Sequence, residues 1–200
     1  MADGSGAGSE RRTPGAADRA VAAIDDLPPD ACIADLAPLF EGAPRFLARL
    51  CAARPFSDEA ALFAAAHRIA LAMPEPEQIE LIDAHPRLGA PAASVSALSF
   101  AEQGYARQTA AAEAVAQAEA VARAQAEAAL VAAELERLND AYEAHFGFRY
   151  CVFVAGRSRA ALLPGFAAAL TAERSAEIVR AVDAVVDIAA DRWSKVADRP

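Results

Sequence analysis

Helix-forming, alanine-rich sequence is the feature that most limits what this chain can fold into. From Gln108 to about Ala133 the residues are almost all Ala, Glu, Gln, Arg and Val, which favour a helix but provide few large side chains for burial. Signals for strands are sparse, and the β-leaning run from Phe148 to Val154 is short. The sequence therefore predicts an all-α fold, with residues 108–133 as a protruding, solvated helical hairpin or extension.

The length of the chain and the composition of its N-terminal residues indicate a single helical domain after a tail. A chain of 200 residues can bury a sizeable core in one bundle-like unit. Residues 1–18 are rich in Gly, Ala and Ser and are predicted as a disordered tail, with a processed transit peptide as the alternative. The domain is predicted over residues 19–200, with residues 108–133 as a low-complexity insertion. Because no run has the roughly eighteen apolar residues of a membrane span, the expected location is cytoplasmic.

Charge and cysteine content argue against several classes of function. The net charge of −9 is unfavourable for nucleic-acid binding, which needs a basic face. Cys32, Cys51 and Cys151 are widely spaced among apolar neighbours, so we predict reduced, buried thiols in a cytosolic protein. These cysteines and the three histidines have no metal-binding spacing, and we predict no metal site.

Prolines and apolar spacing predict the helix boundaries. Apolar residues recur every three or four positions from Asp30, and Pro55 breaks that pattern because a residue that precedes proline is pushed out of the α region. Ser57 is predicted to cap a helix that runs to about Met73. The remaining helices are predicted at about 77–84, from a capping box at Ser99 to Phe146, at 158–170 and at 175–196.

Four features contain groups that could perform chemistry. His85 precedes a proline at a predicted helix end, and Glu102 lies in the Ser99 capping box beside Gln103. The strip from Phe146 to Val154 begins at the end of the long helix, and Arg192 falls on the buried face of the last helix, where a guanidinium needs an anion.

Each of these features also has a purely structural interpretation. His85 could be a loop or capping residue, and Glu102 could simply close the capping box. The run 148–154 could be plain core, and Arg192 could pair with a surface carboxylate, an interaction of little energy. Taken one at a time, these structural roles are the commoner ones.

Short motifs follow one another along the chain in a fixed order. They are Arg54-Pro55-Phe56, Leu81-Ile82-Asp83-Ala84-His85-Pro86-Arg87-Leu88-Gly89, Ser99-x-x-Glu102-Gln103, Leu138-Asn139-x-x-Tyr142, Phe146-Gly147-Phe148 and Ile188-Ala189-x-x-Arg192. Each motif is short, but the ordered set is specific. Together they resemble the family of 2-oxo-4-hydroxy-4-carboxy-5-ureidoimidazoline (OHCU) decarboxylases, over about Asp30 to Val196.

Three departures from that family's pattern accompany the resemblance. Arg149 stands where the family usually has proline, and Tyr105-Ala106-Arg107 replaces an Ala-Gly-Leu-like stretch. The segment between Gln103 and Leu138 is longer than usual, which fits an insertion. None of these departures removes a side chain to which the resemblance gives a catalytic role.

The resemblance implies an all-α, homodimeric, cofactor-free carboxy-lyase that converts OHCU to S-allantoin, the last step from urate to allantoin. The substrate carries its carboxylate beside a ring C=N, which accepts the electron pair as carbon dioxide leaves, so no metal or organic cofactor is required. The expected partner is this small molecule, with no nucleic acid or membrane. The resemblance places the catalytic residues at His85, Glu102 and Arg192. It places substrate contacts at Pro86, Ser99, Phe100, Ala101, Gln103, Tyr150, Cys151, Val152, Phe153 and Val154.

The implied roles follow from the chemistry of the side chains. His85 would act as general acid or base on the 4-hydroxyl or the enol-like intermediate. Glu102 would orient His85 or hold a substrate hydroxyl or N–H, and Arg192 would hold a carboxylate or carbonyl oxygen. Ser99 and Gln103 would bind the ureido and ring amides, and the backbone of residues 150–154 would pair with the flat ring.

Two alternative functions remain open at this stage. The chain could be a non-catalytic helical interaction module that uses residues 108–133 to bind a partner. It could also keep the fold and act on another ureide or imidazoline acid, with Arg149 as the cause of the change.

Overall fold

The structure is a computed structural model that describes residues 16–90 and 118–197, and within those ranges it contains helices and loops but no strand. The expectation of an all-α fold is thereby confirmed. Residues 99–103, to which the sequence assigns site residues, lie outside the described ranges. The elements are α1 (Ala16–Asp25), α2 (Pro29–Leu36), the 3₁₀ helix η1 (Ala37–Phe40), α3 (Pro44–Ala52), α4 (Glu59–Ala72), α5 (Glu75–Asp83), α6 (Ala118–Phe146), α7 (Arg159–Ala169) and α8 (Arg174–Ala197).

Helix α8 is the centre of the packing. It contacts α1, α4, α5 and η1, so its apolar face supplies a large part of the core. That face is the one on which the sequence placed Arg192, and its buried residues include Ile178, Val182, Val185, Ile188 and Ala189. The same face carries the Arg192 side chain into the interior.

Prolines and a carboxylate start several helices. Pro29 and Pro44 are the first residues of α2 and α3, where the missing N–H costs nothing. The prediction that Ser57 caps α4 is wrong. Asp58 caps it instead, since its carboxylate accepts a hydrogen bond from the Ala61 N–H at 2.8 Å. An aspartate here satisfies a helix N–H and also places negative charge at the helix N-terminus.

Helix α1 was not anticipated from the sequence. It begins at Ala16, inside the segment predicted as a tail, and packs against α4 and α8. It contributes few large side chains to the core, namely the buried Val21 and Ile24. Val21 and Ile24 do have helical spacing, but two large apolar residues next to a Gly-, Ala- and Ser-rich segment make too short a pattern to predict a helix.

The long helix α6 has an exposed half and a buried half. Residues 123–130 are exposed, whereas Leu135, Leu138 and Tyr142 are buried. Residues 118–133 continue without a turn into the core half, so this part is an extension rather than a hairpin, and residues 108–117 lie outside the described ranges. Gly147 ends the helix as predicted, with a φ of +73° that favours glycine. No helix in either described range is long and apolar enough to cross a membrane.

The β-leaning run after α6 forms no strand. Residues 149–154 have no regular hydrogen-bonded structure and instead pack against the helices. The Tyr150 ring stacks on Phe166 of α7 with centroids 3.7 Å apart, and Tyr142 meets Tyr150 edge to face. The aromatic residues of this run therefore fill the core. Because aromatic residues are also common in strands, the same composition resembled a strand in the sequence.

The prediction of three reduced thiols is wrong for two of the cysteines. Cys32 of α2 and Cys51 of α3 form a disulfide bond, with Cα atoms 6.2 Å apart. Both residues lie on faces that α2 and α3 turn toward each other, a proximity that a spacing of 19 residues does not reveal. Cys151 is a buried cysteine outside the disulfide.

Candidate active site

His85 lies where α5 ends and the chain turns away from the helix. Its N–H donates to the Ile82 carbonyl at 3.1 Å, and Pro86 then prevents continuation of the helix. Leu81 and Ile82 are fully buried and anchor this end of α5 in the core. As a result the imidazole is only 5% exposed.

The His85 imidazole is buried, and the described part of the chain offers it no hydrogen-bond partner. Neither ring nitrogen makes a hydrogen bond to any residue in the described ranges. Burial, followed by the charge of Arg192, lowers the pKa of His85 from 6.5 to about 4. The Glu41 carboxylate and the Leu81 carbonyl, which faces the ring outside hydrogen-bond geometry, raise this pKa in part. At neutral pH the ring is therefore uncharged and can accept a proton.

Arg192 meets its anion inside the protein. Its side chain is 1% exposed, and Nη2 lies 2.9 Å from Glu41 Oε1. Nη1 donates to the carbonyls of Leu39 at 3.0 Å and Pro38 at 3.2 Å. The alternative of a surface ion pair is wrong, since the guanidinium is held by η1 and the residue that follows it.

Glu41 is a member of this site that sequence reasoning missed. It follows η1 with a φ of +51°, and the Glu41 N–H donates to the Ala37 carbonyl. Gly42, with a φ of +89°, completes the turn. A carboxylate at a helix C-terminus is unfavourable beside the exposed carbonyls. The sequence carries no signal for this pairing, because Glu41 and Arg192 lie 151 positions apart and are joined only by tertiary packing.

The loop after His85 is tied to α6 by Arg87. Its guanidinium makes ion pairs with three carboxylates on successive turns of that helix. These are Glu136 at 3.0 Å, Asp140 at 2.7 Å and Glu143 at 2.7 Å. A network of several charges around one arginine holds better than an isolated exposed pair.

A second attachment of this loop to α6 is buried. Asn139 Nδ2 donates to the Leu88 carbonyl at 2.9 Å. Gly89 follows with a φ of +86°, and a Cβ built there would lie 3.2 Å from Leu135 Cδ1. The Leu138-Asn139-x-x-Tyr142 motif therefore supports the loop that follows His85.

Arg149 holds the carboxyl end of α5. Its N–H donates to Asp83 Oδ1 at 2.8 Å. Its Nη1 donates to the carbonyl of Asp83 at 2.7 Å and to that of His85 at 3.2 Å. The residue that departs from the family pattern thus contacts the backbone of the predicted catalytic histidine.

The segment 150–154 lies between two arginines. Arg180 Nη1 donates to the Cys151 carbonyl at 2.9 Å, and Arg157 donates to the carbonyls of Phe153 and Val154 at 2.5 and 3.0 Å. Tyr150 and Cys151 are buried, and residues 152–154 are partly buried. Several carbonyls of the segment therefore already bind protein donors.

A buried polar network supports this segment from α8. The Tyr142 hydroxyl donates to Glu177 Oε1 at 2.6 Å, and Arg180 Nε donates to the same oxygen at 2.8 Å. Burial and the hydrogen bond to Glu177 raise the pKa of Tyr142. The Arg180 guanidinium lies 4.7 Å from the centre of the Tyr150 ring. The network fixes the start of the segment against the first turns of α8.

Part of the predicted site lies outside the described ranges. The structure brings His85, Arg192 and the backbone contact of Arg149 together, and it adds Glu41. It does not describe the capping-box residues Ser99, Phe100, Ala101, Glu102 and Gln103, so their assignments stay predictions. Within residues 16–90 and 118–197, no group of three or more His, Cys, Asp or Glu side chains could hold a metal ion.

The fold and the site together define a class of protein. A neutral buried imidazole beside a buried guanidinium, at the end of a short helix in an all-helical domain, suits an enzyme that moves protons on a small anionic substrate. The sequence matches the profile of OHCU decarboxylases over residues 25–194, well over half of the chain. The chain therefore belongs to the OHCU decarboxylase family of carboxy-lyases, which acts on the route from urate to allantoin.

Solved structures share the fold. A crystal structure of OHCU decarboxylase in the presence of (S)-allantoin matches with a TM-score of 0.57 and 18% identity, covering 82% of this chain and 98% of that chain. A crystal structure of (S)-allantoin synthase matches with a TM-score of 0.55 and 17% identity, covering 88% of this chain and 53% of that chain. The chain thus spans about half the length of the second protein. No curated protein matches the sequence significantly.

Proposed function

We propose that His85 is the general base in the decarboxylation of OHCU to S-allantoin and that Arg192 binds an anionic oxygen of the substrate. One observation carries the proposal. His85 is buried and uncharged, has no hydrogen-bond partner among the described residues, and lies close enough to Arg192 for the two to interact electrostatically. An unpaired buried polar side chain costs about 1–3 kcal/mol, and a function in binding or catalysis accounts for its presence.

The enol-to-ketone step of the reaction needs a base before it needs an acid. When carbon dioxide leaves, the electron pair of the broken C–C bond forms a C=C bond within the ring, and the former C=N nitrogen takes up a proton from solvent. The 4-hydroxyl of this enol must lose its proton as the ring carbon gains one, which yields the ketone of allantoin. A neutral imidazole can accept the hydroxyl proton and, once charged, can donate it. His85 in its neutral form therefore suits the removal of the proton from the 4-hydroxyl.

Arg192 is preorganised for an anion. The carbonyls of Pro38 and Leu39 and the Glu41 carboxylate hold its guanidinium before any substrate enters, so the cation does not have to be repositioned during the reaction. Glu41 neutralises much of its charge while the site is empty. A substrate carboxylate would compete with Glu41 for the guanidinium, and the attraction would weaken once carbon dioxide has left. Arg192 is thus suited to bind the substrate more tightly than the product.

The remaining assignments rest on the resemblance. We propose that Glu102 orients His85 or holds a substrate N–H or hydroxyl, and that Ser99 and Gln103 bind the amide edges. In the segment 150–154, carbonyls already accept hydrogen bonds from arginines, so its N–H groups are the better candidates for pairing with a flat ring. Arg149 was the reason to consider another ureide or imidazoline acid as the substrate. Its hydrogen bonds to α5 give it a structural role, so a different substrate is not needed to account for it.

The test is direct. Freshly prepared OHCU is added and circular dichroism is followed as chiral allantoin accumulates. We expect conversion faster and more enantioselective than in buffer, and no difference from buffer would contradict the assignment. His85→Asn should abolish turnover with an unchanged helical spectrum, while His145→Asn, which removes an exposed imidazole, is the matched control. Arg192→Lys should raise KM, since a point charge does not reproduce the planar fork.

Assembly and location are further proposals that the resemblance and the sequence support. We propose a homodimer, which light scattering on the purified full chain tests, with a monomer mass as the opposing result. We also propose a cytoplasmic location, although a disulfide such as Cys32–Cys51 is more common in oxidising compartments. Because all three cysteines are buried, cells are lysed directly into denaturant with an alkylating agent. Three modified cysteines fit a reducing compartment and one fits an oxidising compartment.

A further inference from the structure

We propose that Arg149 is a positioning residue, which sets the place of the His85 imidazole by holding the backbone on both sides of the α5 terminus. The inference rests on the proposed role of His85 as the base. It assigns to Arg149 a function that the family pattern does not supply, because proline has neither an N–H nor a guanidinium.

The contacts of Arg149 converge on the three residues that end at His85. The N–H of Arg149 binds the Asp83 side chain at 2.8 Å. One guanidinium nitrogen, Nη1, bridges the Asp83 carbonyl at 2.7 Å and the His85 carbonyl at 3.2 Å. These carbonyls point out of the C-terminus of α5, where partial negative charge favours a cation. The Arg149 side chain thus caps α5 and binds the backbone carbonyl of His85.

No residue of the described ranges fixes the His85 ring by a hydrogen bond to either ring nitrogen. Within this part of the chain, the place of the ring is set by packing and by its backbone. That backbone is held at both ends, since the His85 N–H donates to Ile82 and the His85 carbonyl accepts from Arg149. Loss of the guanidinium would release one of the two ends. A misplacement of about 1 Å can cost on the order of a hundredfold in rate.

Arg149 also connects two parts of the proposed site. It directly precedes Tyr150 and the segment 150–154, to which substrate contacts are assigned. The same residue therefore sets the distance between the catalytic histidine and this segment. A change at Arg149 should alter the geometry of the reacting complex more than the affinity for substrate.

The experiment compares Arg149→Met with Arg174→Met. Arg174 is a matched control, since its Nη1 binds the carbonyl of Phe146 at the C-terminus of α6 and its guanidinium pairs with Glu75. Both variants remove a guanidinium that caps a helix, but Arg174 has no contact with His85. Arg149→Lys retains a cation and serves as the conservative variant should the methionine variant fold poorly.

Kinetics provides the first measurement. In Arg149→Met we expect kcat to fall about tenfold or more with KM within about twofold of wild type. The pH at which kcat/KM declines should stay in place, because Arg149 is not among the groups that shift the His85 titration. Arg149→Lys should recover part of the rate, and Arg174→Met should lose stability but keep kcat.

Histidine NMR provides a second measurement that needs no substrate. With only three histidines, the His85 ring signal is assigned by its loss in His85→Asn. We expect one narrow signal in wild type and in Arg174→Met, and a broadened or doubled signal in Arg149→Met. An unchanged signal with unchanged kcat would overturn the proposal, as would equal effects of the Arg149 and Arg174 substitutions. If wild type fails to convert OHCU, the proposed function fails and the NMR result alone decides the role of Arg149.

Discussion

The buried His85 makes a defined contribution to the pH dependence of stability. Its pKa is lowered to about 4 in the folded protein by burial and by Arg192, while the unfolded chain keeps a value near 6.5. Above about pH 6.5 the ring is neutral in both states and adds no pH dependence. As the pH falls from there toward 4, the unfolded state binds a proton that the folded state does not, so stability is lost across this window.

The size of the effect follows from the shift. At about 1.4 kcal/mol for each pKa unit, a lowering of about 2.5 units limits the loss to about 3 kcal/mol. At about pH 5 the loss from this residue should already be about 2 kcal/mol. For a single domain of this size such a change is a large part of the total stability.

The assay is urea unfolding at about pH 7.5, 6 and 5, for wild type, His85→Asn and the exposed-site control His145→Asn. Carboxylates also titrate toward the lower end, but they are common to all three proteins, so the difference between wild type and His85→Asn isolates the ring. We expect wild type to lose about 2 kcal/mol more than His85→Asn between the first and last pH, with the control following wild type. Equal losses in all three proteins would refute a buried neutral His85.

Three further predictions concern the supports of the site. Replacing Cys32 and Cys51 by serine should lower the free energy of unfolding by about 3 kcal/mol, given their separation of 19 residues; a loss under about 1 kcal/mol in urea would contradict it. Gly89→Ala should cost more than Gly42→Ala, since both have a positive φ but only the first Cβ would lie close to a side chain; equal urea midpoints would oppose this. Glu41→Gln should move the acid limb of kcat/KM to lower pH, because Glu41 raises the pKa of His85; an unmoved limb in a pH–rate profile would count against it.

Local pattern was enough to predict the parts of the site that depend on a single element. Proline after His85 marked the end of α5, and apolar spacing placed Arg192 on the buried face of α8, both of which the structure confirms. These features are encoded within one helix each, where a period of 3.6 residues or a single proline decides the outcome.

Contacts between distant segments could not be predicted in the same way. The pairing of Arg192 with Glu41 joins residues 151 positions apart, and the disulfide depends on the packing of α2 against α3. The role of Arg149 depends on how the segment after α6 crosses the end of α5. In each case the partner is chosen by tertiary packing, for which one sequence contains no periodic signal.

The arrangement around His85 links catalytic use to stability. A ring that is to act as a base at neutral pH has to be uncharged, and burial beside Arg192 ensures this. Burial also leaves its nitrogens without a hydrogen bond to any residue in 16–90 or 118–197, and an unpaired buried group costs about 1–3 kcal/mol. The surrounding contacts offset that cost without bonding the ring itself. Arg149 holds its backbone, Glu41 balances the charge of Arg192, and the Cys32–Cys51 bond joins the two helices that flank η1. None of these three contacts involves a ring nitrogen of His85. They therefore fix the backbone and the charged groups around the imidazole while its nitrogens stay able to accept a proton from the substrate.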